Sequence, residues 1–498
     1  VENKAKLRFG QSVGVAPHIR EYIHLLIAVA IGLGAFFGIA PANGLTEQGV
    51  TVLAIVLPTI YLWLFVNTHW VSLLFLGLLA MTEIMTPNQV WSGALGHFAI
   101  TLVLAFSILS NCLNDTGAIK NIANWFITRK FVQGRPYAFM AMFFASNLVI
   151  GMFMQNLALA VMYVALTAKI CENLGLKKGD SLYNAMMLGT FWGNGVLSIA
   201  SPIAKTLPNI LIGLVYSNLG VQITYGQWFA VGIPFSLIMF AIIMLCIRLA
   251  NPDTTPLKRF KISDLEHESQ SLSLRGKIAL IGMLTLILII LLPEILVTLG
   301  VFVPVASYFV RMGATVPAIA IIILLSVLKV RENGEVVPVL DFAKSTKNVP
   351  INLLLFVAAV VIMGVPMAAE ASGIVDWIHN LLNPVTQGLP AFGLVVVLTL
   401  ISVALTNFLS NTVVLTLTFH LGAALLAGSP YIGPIPFAVL IAFASCMACL
   451  TPSAVMTAPL YYGPEHLKAK VVAKNNLIFL VLAVAVIIAM TPLVISIF

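Results

Sequence analysis

Four short polar clusters lie within stretches of chain that are otherwise apolar, and their residue types suit the binding of a small anion. Ser410-Asn411-Thr412 interrupts the apolar stretch 389–427, and Gln155-Asn156 interrupts 136–171. A helix that starts in the middle of such a stretch offers free backbone N–H groups and neutral side-chain oxygens. Inside a bilayer, unpaired polar groups of this kind cost several kcal/mol each, so the clusters must line a cavity or hold a ligand. Two more apolar stretches, 182–215 and 432–461, carry helix breakers: Gly193-Asn194-Gly195, Ser198, Ser201-Pro202 and Pro208-Asn209 in the first, Thr451-Pro452-Ser453 and Pro459 in the second. Proline is favoured at the first position of a helix. Pro202 and Pro452 are therefore expected to open half-helices whose positive N-terminal ends face the same cavity and favour an anion. One such break reads as a kink; two repeat-related breaks, each paired with a broken hairpin, read as a site. The candidate substrate-binding set is Gln155, Asn156, Ser201, Pro202, Ser410, Asn411, Thr412, Thr451, Pro452 and Ser453.

Charge within these stretches narrows the chemistry further. Apart from Glu172 at one end, the hairpins contain no acid, and neither broken span has one between Leu182 and Met456 outside the connecting segments. A proton or metal-ion pump places Asp or Glu there. Instead, Lys205 sits three residues past Pro202 and His420 nine residues past Asn411. Both are read as charge-compensating groups for an anionic substrate, Lys205 more firmly than the lone His420, because buried intramembrane charge is costly and usually functional. No metal or catalytic set is expected. Cys446-Met447-Ala448-Cys449 lacks a second ligand pair and reads as helix packing, and Cys112, Cys171 and Cys246 likewise read as small apolar fillers. Neither a His-Glu-x-x-His, a phosphate-binding loop nor a Gly-x-Ser-x-Gly occurs, so an enzyme is not expected.

The elements that must position these clusters follow from composition. Of 498 residues, 60% are hydrophobic and 9% charged, against about 25% charged in soluble proteins. That excludes a soluble globule and points to an all-α polytopic membrane protein in the lipid bilayer. The net charge of +8 falls in short clusters between apolar runs, a pattern of membrane orientation rather than of nucleic-acid binding. Eleven transmembrane spans are expected near 22–40, 48–67, 70–86, 97–116, 182–215, 227–249, 277–299, 314–329, 350–370, 432–461 and 474–497, with 136–171 and 389–427 as two re-entrant hairpins. With the N-terminus inside and the C-terminus outside, the basic clusters all fall on the cytoplasmic side, leaving Arg311 outside and Lys205 within a span. A bacterial cytoplasmic membrane is the expected location.

The second half repeats the first. Gly117, Asn156 and Pro202 recur as Gly373, Asn411 and Pro452, offset by 256, 255 and 250 residues. Five crossings separate the matched spans, so the halves form an inverted-topology repeat, the construction of secondary transporters. The expected organisation is an N-terminal segment with the first span (1–47), a first repeat (48–250), a cytoplasmic linker (251–276) and a second repeat (277–498).

Ser410-Asn411-Thr412, Thr451-Pro452, Ser372-Gly373 and the stretch from Ser201-Pro202 to Pro208-Asn209 resemble the divalent anion/sodium symporter family of di- and tricarboxylate carriers over nearly the whole chain. The resemblance implies a homodimer of elevator-type transporters, with scaffold and transport domains, in which the tips and breaks hold substrate carboxylates and, in sodium-coupled members, sodium. The first half departs from this pattern: its tip reads Gln155-Asn156-Leu157, without hydroxyls, and the facing break carries Lys205. An ammonium repels a cation 4 Å away by ~4 kcal/mol at an effective dielectric of 20, which puts the first sodium site in doubt, and no bound cofactor is expected. The expected activity is exchange of small dicarboxylate anions (succinate, malate, fumarate, 2-oxoglutarate) without sodium, with sodium-coupled symport, then an anion channel, as alternatives.

Overall fold

The computed structural model describes residues 17–498 apart from 204, 260–271, 333, 348, 387–389, 427–428, 430, 452–454 and 463–465. Residues 1–16, most of the expected linker, Pro452 and Ser453 therefore lie outside the described residues. The first half runs α1 (Pro17–Gly38), α2 (Glu47–Phe65), α3 (His69–Ala80), α4 (Pro87–Leu95), α5 (Phe98–Asp115), α6 (Ala118–Ile127), α7 (Pro136–Gly151), α8 (Asn156–Asn173), α9 (Ser181–Val196), α10 (Thr206–Leu219) and α11 (Tyr225–Leu249). After α12 (Thr255–Arg259) come α13 (Leu274–Thr298), α14 (Val303–Met312), α15 (Thr315–Val327), a two-stranded antiparallel hairpin β1 (Lys329–Glu332) and β2 (Glu335–Pro338), and α16 (Phe342–Lys347). The remainder is α17 (Ile351–Ala368), α18 (Ile374–Thr386), α19 (Ala391–Thr406), α20 (Asn411–Leu425), α21 (Pro434–Ala444), α22 (Ala458–Tyr462), α23 (Ala469–Ala489) and α24 (Thr491–Ile497).

Seven of the described helical runs are long and apolar enough to cross a bilayer, or eight when α14 and α15, bent by 79°, count as one. The other expected spans fall on shorter pieces. Helix α3, read as a span over 70–86, has 12 residues, a length of about 18 Å at 1.5 Å per residue, against a hydrocarbon core of about 30 Å. The stretches 136–171 and 389–427 each form two packed helices of 15 to 18 residues, joined at the polar clusters.

Local chemistry sets the helix ends. Thr86 and Thr224 each form a reciprocal capping box, with Gln89 and Gln227, satisfying N–H groups the first turn leaves free. The α11 start is further held by Glu294 of α13, whose Oε2 accepts from Thr224 Oγ1 and the Gly226 N–H, both at 2.8 Å. Gly117 and Gly373, matched across the repeat, both adopt left-handed φ, 70° and 62°, as the chain turns into α6 and α18.

A single core joins the halves. Phe235 of α11 stacks on Phe443 of α21 with ring centroids 4.1 Å apart, and Trp192 of α9 stacks on Phe479 of α23 at 4.7 Å. Helix α10 packs on α20 and α21, and α22 packs on α8 and α9, so each half's broken segment lies against elements of the other. At the start of α2, Thr46 Oγ1 donates to the Ala371 carbonyl at 2.7 Å. Exposed Leu, Ile and Phe side chains on α1, α13 and α15 form an apolar exterior of the kind lipid requires.

Candidate functional site

The second-half tip is 407–410, between α19 and α20. Facing it, α21 stops at Ala444, and among the described residues helix resumes at α22, so the expected break at Thr451 is present. Asn407, fully buried, locks the two together. Its Nδ2 donates to the carbonyls of Val403 (2.7 Å) and Met447 (3.0 Å), and its Oδ1 accepts the N–H groups of Cys449 (2.9 Å) and Leu450 (2.8 Å). That uses both donors and both lone pairs of the amide. The Asn407 carbonyl accepts in turn from Thr451 Oγ1 at 2.6 Å. The Thr406 hydroxyl lies within donating distance of Asn411 Oδ1 (3.0 Å) and the Ser445 carbonyl (2.8 Å). Thr406, Asn411 and Ser445 thus gather neutral oxygens, the donor type that hard cations take, while Ser410 is exposed and Asn411 and Thr412 half-buried. Neither Thr406 nor Asn407 is in the sequence-derived set. The available signal was a Thr-Asn pair in an apolar run, its Asn four residues before Asn411.

The first-half tip differs. The Gln155 N–H bonds to Ser110 Oγ at 3.1 Å and its Nε2 to Ser107 Oγ at 2.6 Å, so this side chain is spent on α5. Asn156 Oδ1 is buried and has no partner, as are both amide atoms of Asn147 on α7 and Asn194 on α9. Helix α9 tightens into a 3-10 turn at Leu197–Ala200, and α10 begins at Thr206. The break is where the sequence placed it, but Pro202 does not open the second half-helix. Lys205 takes the N-cap position, while the Pro202 carbonyl accepts from Asn209 Nδ2 at 2.6 Å. Tyr225 on α11 donates to Asn209 Oδ1 at 3.0 Å, and these side-chain bonds hold the loop and start the helix four residues beyond the proline. Ser201 is buried, its Oγ accepting the Ile203 N–H at 3.1 Å.

Lys205 is 4% exposed. Its Nζ donates to the carbonyl of Gly195, a residue that lies beside the Cys446 carbonyl of the second-half break. It does not reach outward to the headgroups. On α20, His420 bonds to the carbonyl of Thr416 at 2.7 Å. A carbonyl only accepts, so Nδ1 carries a proton, and the buried Nε2 has no partner. Among the described residues, no hydrogen bond joins Gln155 or Asn156 to Ser410, Asn411 or Thr412, or Lys205 to His420. Nor does any group of three or more His, Cys, Asp or Glu side chains converge among them.

Membrane-length helices surrounding paired helices and broken apolar segments define an integral membrane transporter. A family model described as citrate transporter matches residues 54–448, and the chain belongs to that family. A sodium-dependent dicarboxylate transporter, SdcS, of Staphylococcus saprophyticus subsp. saprophyticus is 23% identical over 492 residues, covering 91% of this chain and 88% of that protein. The crystal structure of the Alcanivorax borkumensis YdaH transporter, at 10% identity, shares the fold with a TM-score of 0.53 over 82% of this chain and 88% of its own. The resemblance to di- and tricarboxylate carriers is thus borne out, and the protein is a transporter rather than an enzyme.

Proposed function

We propose that the chain exchanges small dicarboxylates, such as succinate, malate, fumarate and 2-oxoglutarate, across a bacterial cytoplasmic membrane without sodium. The observation that carries this reading is Lys205, whose buried amine is held at the Gly195 carbonyl beside the second-half break. A fixed cation there neutralises part of a dianion and cannot dissociate. Moving the empty site would leave that charge uncompensated in a low dielectric, which is costly, so the loaded carrier crosses far more readily and exchange dominates. In this reading, 48–250 and 277–498 are inverted repeats whose tips are re-entrant. The N–H groups at Asn156 and Asn411, with the loops at Ser201 and Thr451, approach the substrate carboxylates, and the site travels by an elevator motion in each protomer of a homodimer with its N-terminus inside.

Proteoliposomes supply the test. Vesicles preloaded with succinate should take up labelled succinate at the same rate with or without sodium, and empty vesicles should take up little. Strong sodium-driven uptake into empty vesicles overturns the reading in favour of sodium-coupled symport. Two observations favour that second reading: the neutral oxygens of Thr406, Asn411 and Ser445, and the sodium dependence in the name of the Staphylococcus relative.

A further inference from the structure

We infer that Glu294 is a positioning residue for the loop that carries Lys205, acting on it through the start of α11 and the Tyr225 hydroxyl. The inference rests on the role given to Lys205 above and deepens it. In the seven apolar runs of membrane length among the described residues, acids stand at a first or last residue (Glu21, Glu47, Asp115), except Glu294, which lies inside α13. An acid placed there is costly and usually functional. Its Oε2 grips α11 on both sides of Tyr225, accepting from Thr224 Oγ1 and from the Gly226 N–H, both at 2.8 Å. That approach requires glycine at 226, where a Cβ would overlap Oε2 and stand 2.9 Å from Cδ. Between the two anchors, the buried Tyr225 donates to Asn209 Oδ1 at 3.0 Å, and Asn209 Nδ2 donates to the Pro202 carbonyl at 2.6 Å. Lys205 lies on the short loop that this last bond closes. A line of hydrogen bonds and backbone therefore runs from α13 through α11 and α10 to the first-half break.

The capping box of Thr224 and Gln227 already starts α11, and Glu294 takes the Gly226 N–H that the box leaves over. What the carboxyl group adds is a fixed place for that start against α13, and so for a hydroxyl whose reach is one hydrogen bond. Asn209 is 2% exposed. Without the Tyr225 hydroxyl, its Oδ1 is left buried and unpaired, at a cost of about 1–3 kcal/mol, and the loop loses its outer brace. Glu294 is bonded to neither Lys205 nor the loop, so its effect on the site passes through Tyr225.

Counterflow of labelled succinate by the full chain in proteoliposomes tests this with a double-mutant cycle of Tyr225→Phe and Glu294→Ala. Each variant should raise KM about fivefold with maximal rates within about twofold, and the double variant should be no worse than the poorer single one. Glu294→Gln, which keeps an accepting oxygen, should recover most of the affinity that Glu294→Ala loses. Gly226→Ala should raise KM in the parent chain and add nothing once Glu294 is alanine. Should Glu294→Ala not be recovered folded, Gly226→Ala and Tyr225→Phe form the same cycle. Effects that multiply to about 25-fold in the double variant overturn the inference, as does a lowered melting temperature with KM unchanged. Lys205→Met separates the two levels of argument. Unchanged KM in that variant sinks the role of Lys205 itself, whereas raised KM or lost exchange, with KM indifferent to Tyr225→Phe and Glu294→Ala, sinks only that of Glu294.

Discussion

The two half-sites start from matched sequence landmarks and end in opposite physical states. In the second half, tip and break are sewn together by neutral hydrogen bonds, with Asn407 using every donor and acceptor of its amide. In the first, the tip's Gln155 is diverted to Ser107 and Ser110, and buried amides at Asn147, Asn156 and Asn194 keep unpartnered atoms. The polar group at that break is the amine of Lys205. A saturated network is rigid and uncharged; a half-site with spare polar atoms and one fixed charge can respond to a ligand. The comparison teaches that matched sequence landmarks need not carry matched chemistry, and that the difference lies in what each polar group has left to give.

The sharpest way to break the comparison is at the charge. Lys205→Met, which keeps length and removes the ammonium, should lower dicarboxylate exchange by about a hundredfold, near the 1.5–3 kcal/mol of hydrogen bonds to charged groups; initial rates in preloaded vesicles measure it. Retained exchange would mean that the first half-site is not the charged one. Next is the clamp. Asn407→Ala orphans the Cys449 and Leu450 N–H groups, at about 1–3 kcal/mol each. It should lower the melting temperature of the purified protein by several degrees and exchange by about tenfold. Asn407→Asp, which keeps the two accepting bonds, should fall between. The smallest effect concerns the diverted glutamine. Ser107→Ala with Ser110→Ala removes two hydrogen bonds, typically about 1 kcal/mol each, and should raise KM by no more than about fivefold while stability stays within a few degrees. A larger loss than Asn407→Ala would reverse the ranking of the halves.

Much of this arrangement is legible in the sequence because bilayer physics is strict. Polar residues such as Asn156 and Asn411 in apolar runs mark turns that must be satisfied, and glycines 117 and 373 turn the chain with the same left-handed φ. What escaped depends on tertiary partners. The length of an apolar run does not say whether a helix crosses, and α3 ends after 12 residues. Pro202 has the right preference for a helix start, yet Asn209 and Tyr225 hold its carbonyl in a loop and leave that start to Thr206. Gln155 reads as a ligand until its partners are found 45 and 48 residues away.

The facing rings of Phe235 with Phe443 and Trp192 with Phe479 mean that neither half can hide its aromatic surface unaided. Were the gene cut between the codons for Arg259 and Ser273, the products would be obligate mates, each insoluble or degraded alone and recovered only when made in the same cell. Such a chain could arise from two separate ancestors only if they already met as a pair.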